Sequence, residues 1–446
     1  MKGRIGTRVF HWATLGLAVV ALSAATAQAE VSLLDKDGLK LGFTFTGAFG
    51  YVDTSHLNFG GGLPSNGEDN VDWAEGFLKP GLTASFDTGA AGTVYGGWAM
   101  LGTKTWGGPD AIDFNDENPS NVDQDQLFAG WRSGKLIPGG ENVLDLSFGQ
   151  QNFQLGDGFL VWDGNGSGPE EGAYWLGPKS TFHRAAVARI NTSPVRGDLF
   201  FLVSDADSGT TKAWGVNVEY PIEKIGTLAG MFLKVKDAKQ GYDFREGMRI
   251  YDLRFQGTPV ENLFVSAEGA LERGTDADLK AAAWYGEVGY TLATLPWAPT
   301  LSYRYSQFSG DDPSTDDSEA FDPLFYGFGR GWGTWFQGEI VGEYLMGNTN
   351  ERAHQLVLKV KPAESLGVGV QLYRFFLDEA HYYGDDSVRG RHFADEINVY
   401  ADWQATANLY LGAVAGIAKP GEAVKSLDYF GDRNYGLFEL NATVTF

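Results

Sequence analysis

Apolar and polar residues alternate with a period of two along most of this chain. In its final stretch Phe438, Leu440, Ala442, Val444 and Phe446 fall on one side, and Leu437, Glu439, Asn441, Thr443 and Thr445 on the other. A strand patterned this way can separate lipid from water. The same rhythm runs through Leu41, Phe43, Phe45, Gly47, Phe49 and Tyr51, with Thr44 and Thr46 facing the other way. It returns at Leu144–Phe148, Trp214–Tyr220, Leu263–Glu272, Trp284–Tyr290, Glu396–Trp403 and Leu409–Ile417. Alternating stretches of up to about ten residues are separated by turns, as expected of tilted strands that cross a bilayer.

The connections alternate as well. Short ones fall at Thr88–Ala91, Asn191–Arg196, Pro221–Ile225, Gly257–Asn262, Leu292–Pro299 and Pro362–Ser365. Long ones fall at Ser55–Asp72, Trp106–Val122, Gln154–Pro178, Gly310–Arg330 and Asp378–Phe393. Short periplasmic turns and long extracellular loops are the habit of outer-membrane barrels. About nineteen segments look like strands, but an odd count puts the Pro362–Ser365 turn on the wrong side. Assigning Gly333–Leu345 to a loop leaves about eighteen, and even closure leaves no unpaired edge in lipid. The expectation is an all-β transmembrane antiparallel barrel of about eighteen strands, with sixteen as the alternative. A soluble β-sandwich would share the alternation, but not the turn asymmetry, the length or the two ends of the chain.

Those ends agree with a membrane barrel. Lys2, Arg4 and Arg8 precede an apolar stretch from Ala13 to Ala25, and Ala27-Gln28-Ala29 reads as a cleavage site. Removal of residues 1–29 as a signal peptide would leave residues 30–446 as the barrel. The terminal Phe446 resembles the signal by which bacterial outer-membrane barrels are recognised for insertion.

Composition narrows the chemistry. There are no cysteines, so neither a disulfide nor a thiolate metal site can form. Glycine at 61 residues and aromatics at 14% suit tight turns and aromatic girdles. Trp284, Trp297, Trp403 and the run Gly331–Phe336 are candidates for the girdles. The formal charge of −23 becomes −23 − 3 = −26 once the three basic leader residues are gone. Such a chain is a poor nucleic-acid binder. Its acid falls largely in turn-rich segments, where solvation explains it.

The stretch Phe148-Gly149-Gln150-Gln151-Asn152-Phe153-Gln154-Leu155-Gly156-Asp157-Gly158-Phe159-Leu160 resembles a motif of the alginate-export family of outer-membrane barrels. In that family a strand ending in G-x-Q leads into a G-D loop. Arg184, Arg189 and Asp322-Pro323-Leu324-Phe325 are similar to what that family shows. The resemblance implies an eighteen-stranded monomeric barrel that passes a hydrophilic solute or polysaccharide passively across the outer membrane, in contact with lipid and lipopolysaccharide. The family includes exporters of anionic alginate with pores rich in Arg and Lys. This chain departs there, because its inward residues carry both signs.

In a water-filled barrel, inward polar residues set selectivity. The alternation assigns Arg132, Asp145, Gln151, Arg189, Glu219, Arg254, Glu268, Glu287, Arg304, Lys359, Gln371, Glu396, Asp402 and Glu439 to the lumen. Arg184 is one residue out of phase with Arg189, which suits the rim. Arg132, Arg189, Arg254 and Arg304 are the candidates for solute contact, because the guanidinium fork binds carboxylates bidentately. The same residues could equally form wall salt bridges with Glu268, Glu287 and Asp402. Mixed charge cancels beyond a Debye length of about 8–10 Å, so selectivity should be weak.

The loop Gln154–Pro178, with Asp157, Trp162, Tyr174 and Trp175, is the candidate constriction. It follows an up-going strand and is rich in Gly for turning and aromatics for packing. Asp163, Asn165 and Ser167 match the first half of a calcium loop, but Tyr174 stands where the twelfth-position Glu belongs. Calcium is therefore the one cofactor in question, and plain turn chemistry is the competing account. Two other functions compete with a channel: an adhesive or structural barrel acting through acidic loops, and a rim hydrolase. The hydrolase would have to use His183 with Ser180 or Thr181. No G-x-S-x-G motif supports it.

Overall fold

The computed structural model describes residues 30–446 except 109, 167, 240, 275–277 and 328–336. The leader expectation for residues 1–29 lies outside the described residues.

Among the described residues, nineteen antiparallel strands form one sheet. They are β1 (Val31–Lys36), β2 (Leu39–Ser55), β3 (Asp72–Asp87), β4 (Thr93–Gly107), β5 (Ser120–Arg132), β6 (Leu144–Gln151), β7 (Phe182–Asn191), β8 (Arg196–Val203), β9 (Lys212–Ile222) and β10 (Gly226–Asp237), followed by β11 (Arg249–Val260), β12 (Leu263–Arg273), β13 (Lys280–Thr291), β14 (Thr300–Phe308), β15 (Glu351–Ala363), β16 (Leu366–Leu377), β17 (His392–Gln404), β18 (Leu409–Pro420) and β19 (Tyr435–Thr445). Each of β2 to β19 pairs with its chain neighbours, and β19 pairs back onto β2 from Gly436↔Ser55 to Thr445↔Thr46, so these eighteen strands close a ring. β1 is the odd one. It folds back on Leu39–Phe43, along the edge of β2 that β19 does not reach. Closure leaves no open edge across the hydrocarbon, where an unpaired backbone group costs several kcal/mol.

Alternation places every second side chain. On β9, Trp214, Val218 and Tyr220 are exposed outward while Ala213, Gly215 and Asn217 are buried. On β12, Ser266, Glu268, Ala270 and Glu272 face in. Leu78, Phe148 and Leu253, each at least 60% exposed, stand on the outside where lipid covers them. Val216 alternates with inward Asn217, so it too faces out. Trp284, Trp297 and Trp403 are exposed on the outer wall or its turns; the Gly331–Phe336 run lies outside the described residues.

All six short turns named from the sequence join an odd strand to the following even one, at one end of the barrel. The five long connections join even to odd at the other end. The asymmetry is not strict. Residues 133–143 make a longer connection at the short end, and 204–211 and 274–279 are brief ones at the loop end. The assignment of Gly333–Leu345 away from the wall is correct where it is described: Gly338–Met346 is a helix with π-type bonds, lodged inside the loop between β14 and β15 and entirely buried.

The interior is filled unevenly. At the loop end, inward side chains and inward-folded loops form two apolar clusters. One gathers Phe153, Phe159, Phe182, Phe308, Phe321 and Phe325 against the β7–β14 wall. The other gathers Phe59, Trp73, Trp175, Ile340, Phe375 and Tyr435 against β2, β3 and β15–β19. Toward the short-turn end, inward polar residues such as Thr44, Thr46, Lys79 and Thr83 keep partial exposure.

Candidate functional site

A belt of charge runs around the inner wall through directly opposed residues. Arg132 faces Asp145, Asp145 faces Arg189, Arg189 faces Asp198 and Asp198 faces Asn217 across β5 to β9. The belt resumes with Arg254 opposite Glu268, and Glu287 opposite Arg304, on β11 to β14. Sequence periodicity put these residues, apart from Asp198, on one face, and the strand register made them neighbours.

Ion pairing knits the belt. Arg132 reaches Asp145 at 3.2 Å, and Tyr95 donates to the same carboxylate at 2.5 Å. Arg189 and Arg196 approach Asp198 at 3.7 and 3.5 Å, and Arg196 reaches Glu219 at 3.3 Å. Arg254 is buried and donates to Asn217 at 2.6 Å, Glu219 at 3.0 Å and Asp252 at 3.3 Å. Arg304 stands 3.9 Å from Glu287, and Lys359 3.3 Å from Asp402. Gln151 is buried beside this belt at the end of β6. Of the four candidate arginines, Arg132 and Arg189 keep solvent access while Arg254 and Arg304 are enclosed. His183 and Arg184 are both exposed at the start of β7.

The connection 152–181 crosses this interior. At one end Gly156, with φ +55°, lies directly on Arg254: a Cβ there would sit 2.9 Å from the arginine Cδ and Nε. Asp157 follows within electrostatic range of Glu268. Phe159 inserts among Tyr285, Phe308 and Phe321, with ring centroids 5.4 to 6.5 Å away. Trp162 is half-buried, and its N–H donates to Phe325 O at 2.9 Å, tying this connection to the β14–β15 loop. At the other end Tyr174 stacks on Phe114 at 4.7 Å and Trp175 lies so close over Gly50 that a Cβ there would clash at 2.3 Å. Ala173 N–H donates to Thr105 Oγ1 at 2.9 Å, Leu176 N–H to Glu75 at 3.0 Å, and Lys79 Nζ to Pro178 O at 2.9 Å. The two anchorages sit on β11 and β3, eight strands apart on a ring of eighteen. The connection is therefore a strap across the lumen.

Two further devices hold the filling in place. Glu396 of β17 accepts the N–H groups of Ile340 and Val341 at 3.2 and 2.8 Å, capping the Gly338–Met346 helix. Arg245, between β10 and β11, grips Asp322 bidentately at 2.5 and 2.7 Å, both side chains buried. Glu75, Lys79, Asp198, Arg245 and Glu343 were missed from sequence. Glu75 and Lys79 share the inward face of β3 with Trp73 and Phe77, so that face mixes charged and aromatic residues and its polarity does not announce them; Arg245 and Glu343 lie in loops, where no period assigns a face.

Asp163 Oδ1 accepts the N–H of Asn165 at 3.0 Å, an Asx turn. Ser167 lies outside the described residues, and among the described residues no three His, Asp or Glu gather as a metal site. Burial pushes the Asp163 carboxyl well above its usual range. It pushes Asp205, next to it, to about 7, and Asp110, between β4 and β5, to about 6, against the opposing pull of backbone N–H donors. The hydroxyls beside His183 are otherwise engaged: Ser180 donates to Asn152 at 2.8 Å and Thr181 to Asp125 O at 2.9 Å.

A family model described as alginate export matches residues 114–429. Among solved structures, the barrel is similar to Pseudomonas aeruginosa OccK5 (OpdH) at 12% identity, covering 91% of this chain and 98% of that one, with a TM-score of 0.57. It is similar to P. aeruginosa OccD3 (OpdP) at 12% identity, covering 93% of each, with a TM-score of 0.56. A BenF-like porin from Pseudomonas fluorescens Pf-5 aligns at 10% identity over 91% of this chain and 98% of that one, with a TM-score of 0.57. No curated protein matches the chain.

Proposed function

The chain belongs to the alginate-export family, and from that premise we propose that it is a loop-narrowed pore whose strap and charge belt together select the solute. It is a bacterial outer-membrane barrel for passive passage, and its family and fold are those of a channel. The observation that carries the finer reading is the strap 152–181, hydrogen-bonded to Glu75 and packed against Arg254 on nearly opposite walls. A solute crossing the lumen must pass beside it. Arg132 and Arg189, with solvent access, then meet carboxylate-bearing or hydroxylated solutes first, while Arg254 and Arg304 hold the strap and wall. Gln151, Glu268, Glu287 and Asp402 complete the polar lining.

The outer wall presents apolar side chains around the ring, which supports a barrel in contact with lipid, acting as a monomer with its acidic loops toward lipopolysaccharide. The test is reconstitution in planar bilayers. Single-channel steps with weak ion selectivity by reversal potential are expected. A sealed membrane at all voltages would sink the channel reading.

A further inference from the structure

Beyond the belt, the loop end of the lumen holds acid that has no Lys or Arg partner among the described residues. Glu343 projects from the Gly338–Met346 helix and Glu439 from β19; they are 4% and 1% exposed. The two carboxylates lie within electrostatic range of each other, with the Trp175 indole and the Tyr344 hydroxyl beside Glu439 and the Tyr435 ring close by. One Glu343 oxygen has no hydrogen-bond partner, Glu439 meets the Trp175 N–H and the Tyr344 O–H, and neither side chain has a Lys or Arg partner among the described residues. The Tyr435 hydroxyl and Asn441 Oδ1 are also buried, with no hydrogen-bond partner among the described residues. Nearby Glu396 is different, because its oxygens are spent on the helix N-terminus and on Asn398 at 2.7 Å.

A buried carboxylate without a partner costs several kcal/mol, so native interiors pair it or protonate it. Here two carboxylates and three aromatic rings converge, all of them at least nine-tenths buried. Acid for charge, a ring face for a delocalised cation and spare acceptors for N–H groups are the complement of an organic cation. The Glu396 cap fixes the helix that presents Glu343, so the arrangement is preorganised before anything enters. From the carboxylates of Glu343 and Glu439, which have no cationic partner among the described residues and are closed in by Trp175, Tyr344 and Tyr435, we infer that this is a recognition site for a guanidinium or ammonium group. The inference rests on the channel reading and names a class of solute that the pore would take. It runs opposite to a lumen built for a polyanion.

The purified protein in detergent, titrated calorimetrically, tests it with two probes of one shape: ethylguanidinium and neutral N-ethylurea. Ethylguanidinium should bind measurably tighter. Glu439→Gln should weaken it by about tenfold or more, as expected when a charge-assisted hydrogen bond is lost, and Glu439→Asp should recover part of the loss. Glu343→Lys, which supplies an internal cation, should abolish probe binding. Heat-modifiable electrophoretic mobility separates unfolded variants from folded ones that do not bind. Equal binding of the two probes, or ethylguanidinium binding untouched by Glu439→Gln, overturns the inference and leaves protons as the occupants. Bilayer conductance is read separately. Channels without cation binding defeat only this site, whereas cation binding without channels defeats the pore.

Discussion

Glu75, on a wall strand, accepts the backbone N–H of Leu176 at 3.0 Å, one hundred and one positions later in the chain. That contact fixes the far end of the lumen strap in a place where water is excluded. Glu75→Ala would leave the Leu176 N–H unpaired and buried, a cost of about 1–3 kcal/mol. The strap end should detach. Larger and noisier single-channel currents are expected, with the barrel still resisting unfolding in cold detergent. Currents identical to the parent would show that the strap does not restrict flow.

The opposite end gives a complementary test. Gly156 combines a positive φ with a close approach to a triply bonded Arg254. Gly156→Ala carries a backbone cost of about 1 kcal/mol and must push either the strap or the arginine aside. A shift in reversal potential should accompany any change in conductance, because Arg254 belongs to the charge belt. Gly67→Ala, where a Cβ meets nothing within 4 Å, is the control for positive φ alone.

Loop docking should depend on pH. Burial raises the Asp205 carboxyl to about 7 and Asp110 to about 6 in the folded loops, against about 4 in an open chain. An acid raised on folding favours the docked state below its open-chain value and loses that contribution as pH climbs through the folded one. Limited proteolysis of the loops should therefore quicken between pH 5 and pH 8. Asp205→Asn, which keeps an oxygen for the Ser208 N–H, should flatten the response. Asp207 beside it and the half-buried, lowered Asp312 and Asp385 titrate too, so the comparison is with the Asn variant rather than with zero slope. Loops more protected at pH 8 would refute the assignment.

The seam of the barrel is closed by its last residue. Phe446 N–H donates to Phe45 O at 2.8 Å and Phe45 N–H to Phe446 O at 2.9 Å, with the two rings 6.3 Å apart. Deleting Phe446 removes both bonds and the contact at once. Slower assembly into lipid vesicles is expected, measured as the fraction reaching the heat-modifiable form, and an unchanged rate would count against a sealing role.

Wall orientation can be checked in lipid. Leu253, 62% exposed and flanked by inward Asp252 and Arg254, should face hydrocarbon. Leu253→Arg should cost about 2–4 kcal/mol in denaturant unfolding from vesicles if it lies near mid-depth. A neutral result would place that face in water.

Some of this was written in the chain. Period-2 alternation in Trp214–Tyr220, Leu263–Glu272 and Leu437–Phe446 determined the strands, their lipid faces and the inward set from Arg132 to Glu439, because side chains on a strand must point to alternate sides. Turn parity determined that Pro362–Ser365 shares an end with Thr88–Ala91, and hence that Gly338–Leu345 stays out of the wall. The motif around Gly149–Gly158 marked the family and the strap. Register and loop docking belonged to the tertiary structure alone. Only ring closure brings Glu75 to Leu176, Arg245 to Asp322 and Glu343 to Glu439, since residues in irregular segments have no periodicity to announce their face. Whether an inward arginine meets solute or holds a loop was likewise decided by what folded in on top of it.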